Sequence, residues 1–247
     1  MSEMSLHGRL WVVALLAVVS SGGVVWGQVL ERMAADALPW AGDVGFAAQR
    51  VAILERIEAE GSSDVLLFEL ARVEHLLGAR GDRELAKSSL KSLEGLAERY
   101  PDDAVVKGYL GSATMLRASR VWWFMTKGKL VERGGGLLEE AVRLSPRDAE
   151  LHALAGASVE QLPGWMDQGA RAEEEVELAY RLMVEAEDAE ARWTGAVRAL
   201  IAETYGRLCE RRGDVMAARD AYGLAVEVAP DSDSGKAAAQ RILSLGD

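Results

Sequence analysis

Cysteine is nearly absent from this chain. Cys209 is the only one in 247 residues, so no intramolecular disulfide can form and a cysteine-rich zinc site is excluded. Its place among small residues predicts a buried, unreactive side chain. Histidine is almost as scarce. His7, His75 and His152 never stand at a helical ligand spacing, and no His-Glu-x-x-His occurs, which argues against a metal site. Aromatic residues make up only 6%, too few for a sandwich or barrel built on alternating Val, Thr and aromatic positions. Positive charge is also short: 28 Lys and Arg face 39 Asp and Glu, a net charge of −11 with no long basic run. That balance argues against nucleic acid as a partner, since phosphate neutralisation needs clustered cations, and against an anionic membrane surface for the folded part. No cofactor is implied.

What remains is rich in Ala, Leu, Glu and Arg, with 49% hydrophobic residues, and this composition suits stacked helices whose small residues set their spacing. The N-terminus differs from the rest. After a polar leader ending in Arg9, Leu10 to Val25 carries no charge, and acidic residues follow at Glu31, Asp36 and Asp43. This is a targeting segment that leaves the N-terminus in the cytoplasm and sends the remainder across the membrane. Gly27 before Gln28 offers a cleavage point, whereas the uncharged stretch from Leu10 to Leu30 is long enough to span a bilayer. Residues 1–27 are therefore a signal peptide or a signal anchor, 28–43 a connector containing Pro39 and Trp40, and 44–247 the folded domain. No cysteine follows the apolar run, so a lipid anchor there is excluded.

Within the domain, a helix over Val44 to Ala59 is expected to turn Val51, Leu54 and Ile57 inward. Asp64 is expected to cap the next helix, which carries Leu67, Leu70, Ala71 and Leu77. Gly78 to Asp82 is the turn into a partner helix over Arg83 to Tyr100, closed by Pro101. A second unit opens at Asp102-Asp103 and ends at Pro146, a third opens at Asp148 and returns over Ala170 to Ala186, and a fourth spans Trp193 to Pro230. A last helix over Ser234 to Leu245 caps the end of the stack.

The stretch Ala199 to Asp231 carries the most information. Counting from Ala199, Gly206 is eighth, Ala218 twentieth, Ala225 twenty-seventh and Pro230 thirty-second, with Gly213-Asp214 between the two helices. This resembles a tetratricopeptide repeat. The equivalent small positions Ala71, Gly111, Gly156 and Gly206 are 40, 45 and 50 residues apart, against an ideal 34, so only one or two units should be recognisable by sequence. The excess is partly localised: 23 positions separate Gly111 from Gly134 where the pattern has 12, and the added residues include Trp122, Trp123, Phe124 and Met125. Four large apolar residues in succession cannot share one helix face. They either fill a core beneath the insertion or form an exposed aromatic patch, with Trp165, for a partner or lipid. Tyr109 to Leu144 and on to Leu162-Pro163 also resembles secreted bacterial helical-repeat proteins.

The resemblance implies an all-α solenoid of stacked antiparallel helical hairpins whose first helices line a concave, non-catalytic binding groove. Its groove positions correspond here to Phe68, Arg72, His75, Ser112, Met115, Glu160, Gln161, Glu203, Arg207 and Arg211. This mixed lining lacks the cation cluster of a carboxylate clamp. No motif for catalysis appears. Gly134-Gly135-Gly136 lacks the Lys and Ser/Thr of a phosphate loop, and the acidic runs at Glu173 to Glu175 and Glu185 to Glu190 read as solvated helix faces. The expected role is a scaffold of the bacterial envelope, periplasmic or anchored in the inner membrane, whose partner is another envelope protein or peptide. The membrane itself is contacted through the N-terminal segment if that is uncleaved. The alternative is a small-molecule-binding component of a transport or secretion system, with a cavity near Trp123 and Trp165.

Overall fold

A computed structural model describes residues 45–160 and 169–246; the expected targeting segment and connector, Gln161 and Trp165 lie outside them. The described chain is helical, with no strand. Its elements are α1 (Phe46–Glu60), α2 (Asp64–Ala79), α3 (Arg83–Arg99), α4 (Ala104–Arg120), α5 (Phe124–Leu144), α6 (Ala149–Glu160), α7 (Gly169–Glu185), the single turn α8 (Ala189–Arg192), α9 (Gly195–Arg211), α10 (Val215–Val228) and α11 (Asp233–Ser244). Four antiparallel hairpins, α2/α3, α4/α5, α6/α7 and α9/α10, stack in order, with α1 against α2 and α11 against α9 and α10.

Two turn chemistries build the stack. Within the first and last hairpins a Gly-Asp pair reverses the chain. Gly81 and Gly213 take φ of 125° and 79°, a conformation that costs other residues energy. The N–H groups of the two following aspartates reach back to close the helix, from Asp82 to the Leu77 carbonyl and from Asp214 to that of Cys209. Each aspartate then caps the next helix: Asp82 accepts from the Glu84 and Leu85 N–H groups, and Asp214 from that of Ala217. After three of the hairpins a proline turn recurs. The N–H groups of Asp103, Asp148 and Ser232 donate to the carbonyls of Tyr100, Ser145 and Ala229, with Pro101, Pro146 and Pro230 second in each turn. Asp103 and Ser232 cap α4 and α11 in the same way.

Close approach holds each hairpin together. A Cβ on Gly111 would stand 2.9 Å from the Gly134 carbonyl oxygen, and one on Gly134 would stand 2.8 Å from Met115 Cγ. Gly156 meets the Ala172 carbonyl and Val176 of α7, Gly206 meets the Tyr222 ring, and Gly78 meets Ala86. Beyond the Gly111–Gly134 crossing, the added residues lengthen both helices into a hairpin arm. At its tip Trp122, Trp123, Phe124 and Met125 are 86%, 57%, 68% and 61% exposed. They form no core.

Two local expectations change. In α1 the buried residues are Phe46, Gln49 and Ile53, while Val51 and Leu54 are exposed, because the stripe through Phe46 and Ile53 packs on Leu66 and Val73 of α2. The cap of α2 is Ser63, whose side chain accepts from the Leu66 N–H. Asp64 instead holds the end of α3, pairing with Arg99 at 2.8 Å and accepting from the Tyr100 hydroxyl at 2.7 Å.

The two ends of the stack meet. Asp233 at the start of α11 accepts from the Phe46 N–H at 2.9 Å and pairs with Arg80 at 2.7 Å, and Arg80 lies 4.7 Å over the Phe46 ring. One carboxylate thus serves the positive ends of α1 and α11.

Gly111→Ala should lower stability by about 1–2 kcal/mol, because the gain in helix propensity is smaller than the cost of pushing two backbones apart. Gly136→Ala, in the same hairpin with open space around it, should raise stability by about 0.5–1 kcal/mol. Urea midpoints measured on both variants check the pair; equal shifts would contradict the crossing described.

Candidate binding chamber

With the ends clasped, the concave face holds a partly open chamber of about 360 Å³. Its wall draws on all four first helices: His75 and Leu76 from α2, Tyr109 and Ser112 from α4, Glu150, Leu154 and Ser158 from α6, and Leu200, Glu203 and Arg207 from α9. Phe46 and Ala237 of the two end helices close it. A second recess of about 710 Å³ lies outside, lined by Val131 and Val142 of α5, Val159 of α6 and Glu175 of α7.

Of the groove residues expected from the sequence, the structure brings His75, Ser112, Glu203 and Arg207 together around the chamber. Arg72 lies just beside it in a crevice shared with Tyr109, Val197 and Leu200. Phe68 and Met115 are each 2% exposed and belong to the core, Phe68 edge-on to Tyr109 and Met115 against Gly134. Glu160 is the last residue of α6, and Arg211 ends α9 on the exposed surface. Tyr109, Glu150 and Ser158 are functional-looking residues that the sequence reading passed over. Glu150 sits in the first turn of its helix, where an acid ordinarily needs no partner beyond the helix dipole. The usable signal was Gly156: since it faces α7, the opposite side of α6 must face the concavity.

The polar groups form two linked sets. Arg72 donates Nε–H to the Tyr109 hydroxyl at 3.0 Å and pairs with Glu69 at 3.2 Å and Glu150 at 3.3 Å, while the Tyr109 hydroxyl donates to Glu150. Two buried carboxylates share one guanidinium. Burial raises the Glu69 pKa against the pull of Arg72, with the neighbouring Glu150 charge adding to the rise, and burial likewise lifts the Tyr109 phenol well above its usual value. In the second set the Ser158 hydroxyl donates to Ser112 at 2.8 Å, and Ser112 lies 2.9 Å from His75 Nε2. Burial, helped by the Arg120 charge, pushes the His75 pKa down to about 4, so the ring is neutral at pH 7. Its Nδ1 has no hydrogen-bond partner. A serine–histidine pair therefore exists, but no carboxylate orients the imidazole as nucleophilic catalysis requires. Among the described residues no cluster of three or more His, Cys, Asp or Glu is placed to hold a metal, and no helix is long and apolar enough to cross a membrane. Cys209 is buried, and burial raises its thiol pKa.

His152, on α6 away from the chamber, makes a contrasting pair. Its Nδ1 stands 2.6 Å from Glu175 and its Nε2 3.1 Å from the Pro146 carbonyl, so both neighbours are acceptors. Burial opposes the charged ring, yet these two partners outweigh it and raise the pKa above 6.5.

No protein-family model matches the chain, and no curated protein matches it. Solved structures do. The crystal structure of TTC0263, a thermophilic TPR protein of Thermus thermophilus, aligns over 89% of this chain and 98% of that one, with a TM-score of 0.56 and 22% identity. The human IFIT1 dimer with PPP-AAAA aligns over 89% of this chain and 45% of that one, with a TM-score of 0.52 and 13% identity.

Two outcomes test the electrostatics. Arg72→Leu should cost about 3 kcal/mol at pH 7, since it strands two buried carboxylates. The loss should shrink toward pH 5, because a carboxyl with a raised folded pKa is relieved as pH falls through it. For His152, whose folded pKa is raised, the stabilisation is complete below about 6.5 and is lost as pH rises through the folded value. The stability difference between wild type and His152→Gln should therefore narrow from pH 6 to pH 8; a constant difference would contradict an ionised pair. With the hairpins, their glycine contacts and these neighbours in place, the chain has the fold of the tetratricopeptide-repeat proteins.

Proposed function

We propose that this chain is a non-catalytic interaction scaffold of the bacterial cell envelope and that its concave chamber receives a short segment of a partner protein. The observation that carries the reading is the convergence of all four first helices on one mixed polar and apolar concave space. Helical-repeat stacks hold such surfaces rigid, so a partner meets preset positions and little order has to be gained on binding. A volume of about 360 Å³ suits two or three residues or one long side chain, and not an extended peptide laid along the full stack. Glu203 and Arg207 are paired at 3.2 Å at the chamber wall, with the Arg207 side chain 38% exposed, and present both signs of charge to an entering segment. Export across the inner membrane by residues 1–27 completes the reading and rests on the apolar run from Leu10 to Val25.

The small-molecule alternative keeps one observation in its favour, since the chamber is concave and at the lower end of ligand-pocket size. A recess of about 550 Å³ reaches Val121, two residues before the exposed Trp123, and Trp165, the other residue named for this cavity, lies outside the described residues.

Photo-crosslinking in cells from Leu200, followed by mass spectrometry of the intact protein from its own envelope fraction, tests the proposal. One dominant crosslinked protein, with affinity reduced about tenfold or more by Arg207→Glu, is the expected outcome. A retained small molecule with no crosslinked protein would establish the alternative.

A further inference from the structure

We propose that the tip of the α4/α5 arm is a membrane-interface anchor that enters the headgroup region of a bilayer rich in anionic phospholipid. The inference is independent of the concave chamber and uses surfaces on the outside of the stack.

Three observations meet at this tip. The first is apolar: Trp122, Trp123, Phe124 and Met125 are all more than half exposed, and the two indoles touch edge to face with centroids 5.7 Å apart. Contiguous exposed aromatics are a liability in water, and indoles favour the boundary between headgroups and acyl chains. The second is charge. From Arg117 to Val131 the chain has four cations, Arg117, Arg120, Lys127 and Lys129, and no acid, within a protein of net charge −11. The overall balance argues against an anionic surface only if charge is spread evenly, and here it is not.

The third is a groove. Between α3 and α4, next to Val121, lies a recess of about 550 Å³ whose wall adds Arg83, Lys87 and Lys91 to Arg117 and Arg120, with Glu94 as its acid. Lys87 is matched by exposed Glu84 and Glu94 by Arg133, while Arg83, Lys91 and Arg117 have no acidic partner among the described residues. Phosphate groups supply the missing charge. The start of α5 adds to the same site, because Trp123 at its cap provides no side-chain acceptor for the first-turn N–H groups.

The geometry is that of an interfacial contact: aromatic residues at the apex, cations set back along the arm, and a basic groove where headgroups would lie. A protein partner of matching chemistry would need an acidic rim around an apolar pocket. An anionic bilayer offers both features continuously, and on the export route proposed above the N-terminal segment brings the chain to a membrane.

The test uses the full chain with Cys209→Ala and a nitroxide at Met125→Cys, reconstituted in vesicles of phosphatidylcholine with or without phosphatidylglycerol. A second sample carries the label at Met216→Cys, which is 71% exposed on α10. Collision with oxygen and with a water-soluble nickel chelate reports depth. The expected result is that the Met125 label exchanges chelate access for oxygen access in phosphatidylglycerol vesicles, far less in phosphatidylcholine alone, and that the Met216 label stays in water in both. Arg117→Glu with Arg120→Glu should reduce the membrane-inserted fraction about tenfold or more, while Trp122→Ser with Trp123→Ser abolishes it with the helix content unchanged. A Met125 label that stays in water on both vesicles overturns the proposal, since the N-terminal segment alone would then tether the domain. Protection of the label without vesicles also overturns it, by showing that the tip is covered by another copy of the chain.

Discussion

The distance between the two helices of each hairpin is the constraint on which the structure depends. At Gly111 against Gly134, Gly156 against Ala172 and Val176, and Gly206 against the Tyr222 ring, there is no room for a Cβ. Helices that approach this closely exchange dispersion contacts along their whole length, and the second helix is held at a set tilt to the first. Repeated four times, that tilt turns the stack until α11 reaches α1. The chamber follows from these contacts and from Asp233, which joins the Phe46 N–H and Arg80 across the gap. Arg80 and Asp233 are both about two-fifths exposed, so the pair itself contributes little beyond about 1 kcal/mol. Its role is to fix the closed geometry that the hairpins have nearly completed.

The interior of the concavity is unusual in being polar. Glu69, Arg72, Tyr109 and Glu150 are desolvated together, and such sets seldom stabilise a fold more than apolar residues of similar size would. Their effect is to fix positions. Arg72 ties α2 to α4 and α6 through Tyr109 and Glu150, while Ser158, Ser112 and His75 tie the same three helices further along. Three hairpins are thereby locked in register at the surface that a ligand would meet. The exposed edge of Arg207 is what this rigid wall offers an incoming group, while His75 Nδ1 is buried without a hydrogen-bond partner.

Much of this was legible in the residues. Gly-Asp at 81–82 and 213–214 and proline at 101, 146 and 230 act through local backbone chemistry, so they marked the turns without knowledge of the fold. Small residues at 111, 156 and 206 marked the helix faces that touch. Other features depend on what lies opposite. Val51 and Leu54 look like a core stripe until α2 is seen to pack on Phe46 and Ile53 instead. Asp64 has the chemistry of a cap, but Ser63 precedes it and Arg99 and Tyr100 claim its carboxylate. Phe68 and Met115 occupied groove positions by analogy and are core residues in this stack. The clasp joins residues 187 positions apart, and nothing local to Asp233 announces it. For Trp122 to Met125 composition alone left burial and exposure open; the length of α4 and α5 beyond their crossing decides it.

The central claim is that the concave face forms one chamber because the first and last helices of the described chain are held together. Pulsed electron resonance between nitroxides at Ala47 of α1 and Lys236 of α11, both exposed, measures that contact directly in solution, with Cys209→Ala as the background. A single short and narrow distance distribution is the expected result. A long or broad distribution would mean that the stack is an open arc, and the chamber and the size of its guest would have to be abandoned.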